Sequence, residues 1–556
     1  MEKVHKQRFS VLLLLFSLSM VVMSAYGVFY PTASWFLSFS LVNISTFDLP
    51  VSMVVDKVSL MFSAVVLLIS GCVFMFSRWY MESDGYYYRF TWLLLLFVMS
   101  MTVLILSGSI FSLLVGWDGL GISSFLLIIY YQSTDSLRSG FLTLLVNRLG
   151  DVLIMSSMFV MVLGGSSLLM NYSPSTVCLL ALLFGLAALT KSAQYPFCAW
   201  LPAAMAAPTP VSALVHSSTL VTAGIYILVR LCMTVEVPST VASMFLLCGS
   251  MTSLVGGLCA FNENDVKKVI ALSTLSQLGV MVFSLGLYAH EWALFHLYTH
   301  AMFKALLFLV AGCMLMISYG CQDLRLLGNV LAGSPILSVF LNSSTFCLAG
   351  LPFMSAYYSK HSIIGYMLSS SVNLFSSVIM LFALLLSGAY MFRLAKVVSW
   401  STNGQFAVQN SKGNISLYMP MVILFCGSVF GGYLLSIVNI NLLCSWYPKS
   451  LESTIYVLLV VGVLMGVLVT WGGKVEFLSN MFYMSPTFTL SPNVGYFPSR
   501  CVQKFDTGWI EPYTYIRKLE QWFNLLSWSQ RWPISGMGFY QYLLFGGVLL
   551  YAIWYY

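Results

Sequence analysis

Long apolar stretches separated by short polar segments dominate the pattern of this chain. A helix needs about 20 predominantly apolar residues to cross the hydrocarbon core of a bilayer, and charges and turn residues mark where each stretch stops. The pattern predicts an all-α polytopic membrane protein with fifteen transmembrane helices. Their approximate limits are 8–30, 58–79, 90–108, 109–131, 138–164, 177–198, 208–232, 240–260, 266–288, 291–317, 332–366, 372–398, 417–439, 453–471 and 537–556.

Residues that interrupt a helix occur in two of these spans. One interruption lies near Tyr195 and Pro196, with further prolines close behind, and the other lies at residues 350–352. Non-helical backbone at membrane depth is tolerated only where protein or water satisfies its polar groups. Because paired interruptions in two halves of a chain point to a transport site, the pattern favours a translocation path.

The segment between residues 471 and 532 departs from the spanning pattern. Trp509, Tyr513, Ile516, Leu519 and Phe523 recur at helical spacing, with charged residues between them. We expect an amphipathic helix that lies at the membrane surface, followed by the last span.

Composition and charge exclude several classes of protein. The 556 residues are 59% hydrophobic and 8% charged, whereas soluble domains carry about 25% charge, so a soluble multidomain enzyme is excluded. The net charge of +7 is spread over loops, which indicates positive-inside topology rather than nucleic-acid binding. The 12 cysteines stand singly, so the usual ligand spacings for zinc and iron–sulfur clusters are absent.

Charged residues inside apolar spans need a reason, because each costs at least about 2.5–3.5 kcal/mol at the bilayer centre. Asp118 and Lys191 are two such residues. They are interpreted either as a switchable pair in a proton relay or as a static buried ion pair that joins two helices. Arg148 and Asp151, three residues apart on one helix, are expected to pair with each other.

His296, His300 and Lys304 follow one another at intervals of four residues. Four residues advance a helix by about 400°, so the three side chains form one stripe with steps of roughly 6 Å. A metal site would need a further carboxylate or thiolate, and Lys304 would repel a cation. A hydrated proton wire accounts better for two imidazoles and an amine.

Three more polar residues are candidates for the same path. His216 is followed by three hydroxyl side chains, which would satisfy it as a core histidine or order water around it. Lys360 follows the second interruption and is the stronger candidate, whereas Arg393, near the end of the next span, is expected to reach towards the membrane interface.

Specific motifs coincide with these segments. They lie at 116–121, 147–151, 191–194, 200–205, 208–214, 216–219, 264–268, 273–274, 276–279, 300–304 and 322–325. Together they resemble the family of subunit 5 of mitochondrial NADH:ubiquinone oxidoreductase, respiratory complex I, from about Asp56 to Arg393. The amphipathic run and final span also resemble the lateral and anchoring helices of that family.

The resemblance implies an antiporter-like, proton-pumping subunit in the mitochondrial inner membrane, with inverted repeats. The proton relay that it implies consists of Asp118, Lys191, His216, His300, Lys304 and Lys360. A secondary relay or pairing role is expected for Arg148, Asp151, His296, His361 and Arg393. It also implies that this chain binds no cofactor or metal, and that NADH, FMN, iron–sulfur clusters and ubiquinone bind to other subunits. Sister antiporter-like subunits, and a lipid such as cardiolipin, are the partners it implies; no nucleic acid is expected.

The same resemblance organises the chain into six parts. They are N-terminal transmembrane helices (1–108), a first half-channel (109–260), a second half-channel (261–400), additional transmembrane helices (401–472), a loop with the lateral helix (473–536) and an anchoring helix (537–556).

Three departures from the family pattern stand out. The family usually has Glu where Asp118 stands and Asp where His361 stands, and only one span precedes Asp56. Both substituted positions keep a titratable group.

Two other functions remain open from the residues. A cation/proton antiporter subunit of the bacterial multisubunit type shares buried lysines and carboxylates. A membrane scaffold would tolerate replacement of Lys191 and Lys304 by methionine.

Overall fold

The computed structural model describes residues 8–29, 35–44, 47–164, 174–370, 373–401, 415–438 and 449–468, and the single residues 478, 481 and 482. The described part is mostly helical. Its elements are α1 (Arg8–Phe29), β1 (Trp35–Ile44), β2 (Phe47–Val55), α2 (Lys57–Tyr80), α3 (Tyr87–Leu106), α4 (Ile110–Ile128), α5 (Thr134–Leu163), α6 (Pro174–Lys191), α7 (Trp200–Ala203), α8 (Thr209–Thr234), α9 (Ser239–Asn262), α10 (Val266–Gly286), α11 (His290–Ile317), α12 (Leu324–Leu327), α13 (Pro335–Ala349), α14 (Ser355–Ser369), α15 (Leu374–Trp400), α16 (Ile415–Val438) and α17 (Lys449–Leu468).

Ten helices in the described ranges are long and apolar enough to cross a membrane, and four more are apolar but shorter. The chain is therefore a multi-pass membrane protein. Each predicted span from 8–30 to 453–471 falls on a described helix or helix pair. The amphipathic helix and the span 537–556 lie outside the described residues, so the total of fifteen stays a prediction.

A β-hairpin is the exception to the predicted all-α fold. Strands β1 and β2 pair antiparallel, with a register irregularity between Ser40 and Val42. The Gly108 amide donates to the Ser52 carbonyl at 2.9 Å, and the Ser112 hydroxyl donates to the same carbonyl at 3.1 Å. The hairpin thus packs against the connection between α3 and α4. Ser38 and Ser40 alternate with apolar residues in β1, which is the period of a strand rather than of a helix.

The first predicted interruption is present. Helix α6 ends at Lys191, and the peptide bond between Tyr195 and Pro196 is cis. A single helical turn, α7, precedes α8, whose residues Ser212–Thr219 are π-helical. Prolines explain the loss of regular helix, because proline lacks the amide donor and clashes with the preceding turn.

The second predicted interruption is also present. Helix α13 ends at Gly350, which has a φ of +87°. Glycine adopts this left-handed conformation without the steric cost that a side chain brings. Helix α14 then begins at Ser355, so the predicted span 332–366 consists of two helices. The inverted-repeat relation between the two halves stays a prediction.

Helices α8, α10 and α11 form the centre of the bundle. The most apolar stretches of α8 and α10 are wholly buried, and that of α11 is 89% buried. Their polar side chains are consequently surrounded by other helices rather than by lipid.

Close packing near the first interruption generates a prediction. A β-carbon at Gly224 of α8 would lie 2.5 Å from the carbonyl oxygen of Ala188 and 3.1 Å from the amide nitrogen of Ser192. We expect Gly224→Ala to lower stability by about 1–3 kcal/mol because both neighbours are backbone atoms. Thermal unfolding of the purified protein measures this.

Gly121→Ala is the matched control for Gly224→Ala. No atom lies within 4 Å of a β-carbon at Gly121 of α4, and alanine is the better helix former. Equal unfolding temperatures for the two variants would show that α8 and α6 are not packed as closely as described.

Candidate functional site

Lys191 is the last residue of α6 and is completely buried. Its ammonium Nζ donates to the Trp117 carbonyl oxygen at 2.6 Å and lies 3.8 Å from the centroid of the Trp117 ring. Both contacts stabilise a positive charge without a carboxylate. Helix α4, which carries Trp117, thus provides the environment of this lysine.

The carboxylates lie on the other side of Trp117. Its indole Nε1 donates to Asp151 Oδ1 at 2.7 Å, and Arg148 pairs with Asp151 at 3.0 Å, as expected. Arg148 also approaches Asp118 at 3.7 Å. Asp118 forms no ion pair with Lys191 within 4.0 Å among the described residues, although the sequence predicted a direct pair. Asp118 and Asp151 instead form a cluster around Arg148.

Three titratable side chains line one face of α11, as the spacing predicts. His296, His300 and Lys304 are all completely buried, and the ring centroids of the two histidines lie 6.2 Å apart. Lys304 Nζ donates to the hydroxyl of Ser273 on α10 at 2.6 Å. His296 Nδ1 lies 2.8 Å from the hydroxyl of Ser359 on α14. The stripe thus connects three helices.

His216 lies in the π-helical part of α8, completely buried. Neither of its ring nitrogens has a hydrogen-bond partner among the described residues. Of the two alternatives, direct hydrogen bonds from the following hydroxyls are absent among the described residues, and ordered water stays a prediction. Ser217, Ser218 and Thr219 instead donate to the carbonyls of Ala213 and Leu214, because hydroxyls on a helix readily bond to the preceding turn.

Four polar atoms on α10 and α11 share this condition. Buried atoms without a described hydrogen-bond partner include His296 Nε2, His300 Nδ1, His300 Nε2 and Gln277 Oε1. Each would cost about 1–3 kcal/mol if it stayed unsatisfied. Ordered water is the usual partner of such groups, so the faces of α8, α10 and α11 are suited to hold water between their titratable side chains.

The second helix interruption positions Lys360. Its ammonium Nζ donates to the Leu348 carbonyl in the last turn of α13. Lys360, His361 and Gly350 belong to the lining of a cavity of about 30 Å³, which exceeds the roughly 10–15 Å³ that one water requires. The His361 ring packs against Tyr357, with centroids 4.2 Å apart.

Arg393 lies outside this row of groups. It donates to the Phe261 carbonyl, to the Glu263 carbonyl at 3.1 Å and to Asn264 Oδ1 at 2.7 Å. These acceptors lie at the C-terminal end of α9, where carbonyls lack intrahelical partners. Arg393 therefore caps the C-terminal end of α9, and its expected reach towards the membrane interface stays a prediction.

Some contacting residues were not singled out as candidates from the sequence. Trp117, Ser273 and Ser359 each contact a titratable side chain directly, and the Tyr390 hydroxyl lies 2.9 Å from that of Ser276. Trp117 and Ser273 lie inside the quoted motifs, which was the available signal. Their roles depend on contacts between helices, and periodicity along one helix does not reveal those contacts.

The chemistry of this set is proton transfer. An ammonium group donates a proton and the neutral amine accepts one, whereas imidazole and hydroxyl groups can do both. In the described part of the chain, no group of three or more His, Cys, Asp or Glu side chains is placed to hold a metal ion. These buried groups, from Lys191 on α6 through His216 on α8 and the α11 stripe to Lys360 on α14, are called the row.

Comparison with known protein families identifies two matching regions. The family described as "NADH:quinone oxidoreductase/Mrp antiporter, TM" matches residues 107–387. The family described as "NADH-Ubiquinone oxidoreductase (complex I), chain 5 N-terminus" matches residues 41–91. The first region, 107–387, includes the helices that carry Lys191, His216, Lys304 and Lys360.

Curated relatives agree with this result. NADH-ubiquinone oxidoreductase chain 5 of Artemia franciscana is 46% identical over 365 residues, which are 66% of each chain. The protein of the same name from Anopheles gambiae is 38% identical over 506 residues, 86% of each chain. That of Mytilus edulis is 37% identical over 517 residues, covering 89% of this chain and 90% of the relative.

Solved structures share the fold. The Mrp complex from Dietzia sp. matches with a TM-score of 0.66 and 24% identity, covering 97% of this chain and 59% of that one. The membrane-bound sulfane sulfur reductase, an archaeal respiratory membrane complex, matches with a TM-score of 0.67 and 20% identity, covering 84% and 94%. These likenesses agree with an antiporter-like helical architecture.

Proposed function

The chain belongs to the NADH-ubiquinone oxidoreductase chain 5 family, the proton-translocating membrane subunits of complex I, and we propose that its buried row from Lys191 to Lys360 carries the protons. The observation that supports this proposal most is the set of five imidazole nitrogens, on His216, His296 and His300, that lack described partners between buried lysines. Water at these nitrogens would complete a chain of proton donors and acceptors.

In its second half, the proposed path follows a direct contact between side chains of α11 and α14. His296 contacts the Ser359 hydroxyl, and Ser359 directly precedes Lys360 in α14. A proton that leaves the α11 stripe is passed through this hydroxyl and water to Lys360. His361 then transfers it to water in the adjoining cavity.

The cluster around Arg148 is proposed to control Lys191. Arg148 has two carboxylate partners, Asp118 at 3.7 Å and Asp151 at 3.0 Å. A shift of the guanidinium between them changes the field at Lys191, because Trp117 contacts both Asp151 and the lysine. Proton loss from Lys191 is thereby coupled to charge movement in α4 and α5.

The location and partners are also proposed from the family. The chain acts in the mitochondrial inner membrane beside sister antiporter-like subunits, with cardiolipin as a bound lipid. NADH, FMN, iron–sulfur clusters and ubiquinone are bound by other subunits of the complex. The bacterial multisubunit antiporter is the less supported alternative, because the Mrp complex is 24% identical whereas chain 5 relatives reach 46%.

Replacement of Lys304 tests the proposed path against a scaffold role. Lys304→Met keeps the length of the side chain but removes its proton, so proton transfer through this row should slow by about 10²-fold. We expect fewer protons translocated per NADH oxidised in vesicles that contain the complex. Lys268→Met is the control, because Lys268 is about half exposed and pairs with Asp265 at 2.9 Å. If the number of protons translocated per NADH oxidised is unchanged in Lys304→Met, the result would support a scaffold role for the chain.

The carboxylate cluster yields a second comparison. We expect Asp118→Asn to depress pumping and Asp118→Glu to retain it, because glutamate keeps the charge that Arg148 contacts. Asp151→Asn should cause the larger loss, since Asp151 holds both Arg148 and the Trp117 indole. Proton uptake by reconstituted vesicles measures all three. Normal pumping by both asparagine variants would remove the cluster from the mechanism.

His361 provides a third test. His361→Leu should slow pumping several-fold by removing the relay beside Lys360, whereas His361→Asp should be tolerated because a carboxylate also exchanges protons with water. Pumping is measured from about pH 6 to 8 for all three proteins. A His361→Leu profile that matches the unchanged chain would mean that Lys360 acts alone.

A further inference from the structure

A second, larger cavity is lined by none of the residues of the row. It has a volume of about 770 Å³ and lies where α2 and α4 end and where α3 begins. Its lining includes Tyr80, Asp84, Tyr86, Arg89, Tyr130 and Tyr131. Because three spanning helices terminate here, the cavity lies at the depth of lipid head groups.

The acidic side of the cavity holds one carboxylate with both oxygens occupied. Asp84 Oδ2 accepts a hydrogen bond from the Tyr130 hydroxyl at 2.7 Å, and Oδ1 accepts one from the Tyr86 amide at 3.0 Å. The Tyr130 and Tyr131 rings meet at 67° with centroids 5.6 Å apart. A negative charge beside a corner of aromatic rings attracts a cation. A quaternary ammonium suits this site because it needs no hydrogen-bond acceptor.

The basic side of the cavity is Arg89. It is exposed and makes no ion pair or hydrogen bond with the rest of the described chain. A guanidinium in this state is available for bidentate contact with a phosphate. One carboxylate and one guanidinium give the cavity opposite charges that balance, which matches a zwitterion better than an anion.

An apolar track leads away from the arginine. Trp92, Leu96 and Met99 follow Arg89 at positions +3, +7 and +10 in α3, so all four share one helix face. The three apolar side chains are exposed. Acyl chains attached to a phosphate at Arg89 would lie along this track in the hydrocarbon layer.

We propose that this cavity binds the head group of a phosphatidylcholine, with the quaternary ammonium at Asp84 and the tyrosines, the phosphate at Arg89, and the acyl chains along Trp92, Leu96 and Met99. The site would hold a structural lipid at the end of α2–α5. This proposal is independent of the proton path.

Photocrosslinking of the whole complex in lipid nanodiscs tests the site. The probe is a phosphatidylcholine with a photoreactive group near its phosphate, and labelled peptides are identified by mass spectrometry. We expect labelling of residues 80–89 that falls about tenfold in Arg89→Met, the loss expected from one charge-assisted contact. Arg138→Met is the matched control, because Arg138 is an exposed arginine in α5 outside this cavity.

A second variant tests which lipid head group the cavity prefers. Tyr86→Leu, at an exposed ring, should remove the preference for phosphatidylcholine over phosphatidylethanolamine while keeping labelling by both. Equal labelling of Arg89→Met and Arg138→Met would overturn the proposal. So would stronger labelling by a cardiolipin probe, or capture of a neighbouring subunit by a photoreactive side chain placed at Tyr86.

Discussion

Holding positive charge inside the bundle without a fixed counter-ion is the constraint on which the proposed path depends. The ammonium of Lys191 donates to a backbone carbonyl, that of Lys304 to a serine hydroxyl and that of Lys360 to another carbonyl. These acceptors are neutral. A neutral carbonyl or hydroxyl stabilises the ammonium, and it can still accept a hydrogen bond from the neutral amine once the proton has left. Removing one charge from a buried ion pair would instead leave the other charge without a partner. In the proposed path, a lysine that loses its proton therefore leaves no carboxylate within 4.0 Å without its ion-pair partner among the described residues.

The helix interruptions supply acceptors of this kind. Helix α13 stops at Gly350, so carbonyls in its last turn lose their intrahelical partners, and Lys360 uses that of Leu348. Beyond the first interruption, the Ala207 carbonyl lies 3.4 Å from Lys267 Nζ. The π-helical part of α8 has a related effect, because it places His216 where no described side chain satisfies it. Broken backbone and unpartnered imidazoles thus create polar positions within an apolar bundle.

Sequence periodicity predicted the parts of this arrangement that are local. The α11 stripe follows from spacing along one helix, and the prolines and glycine identified both interruptions. Contacts between helices could not be predicted from the sequence. The position of Trp117 between Lys191 and Asp151 and the capping of α9 by Arg393 both depend on how the helices pack. The hairpin was missed because its apolar residues were weighed by hydrophobicity alone. Its period of two was the decisive feature.

The two halves of the row differ in where carboxylates occur, and this difference gives the proposed path a direction. Asp118 and Asp151 flank the Lys191 end with Arg148 between them, whereas Lys304 and Lys360 form no ion pair within 4.0 Å in the described part of the chain. The energy of a pair of charges falls with their separation. A rearrangement of the carboxylate cluster therefore acts first on Lys191, and it reaches Lys360 only through changes of charge at the intervening imidazoles and Lys304. In the proposed path, an electrostatic change at the carboxylate end is what would move positive charge along the row.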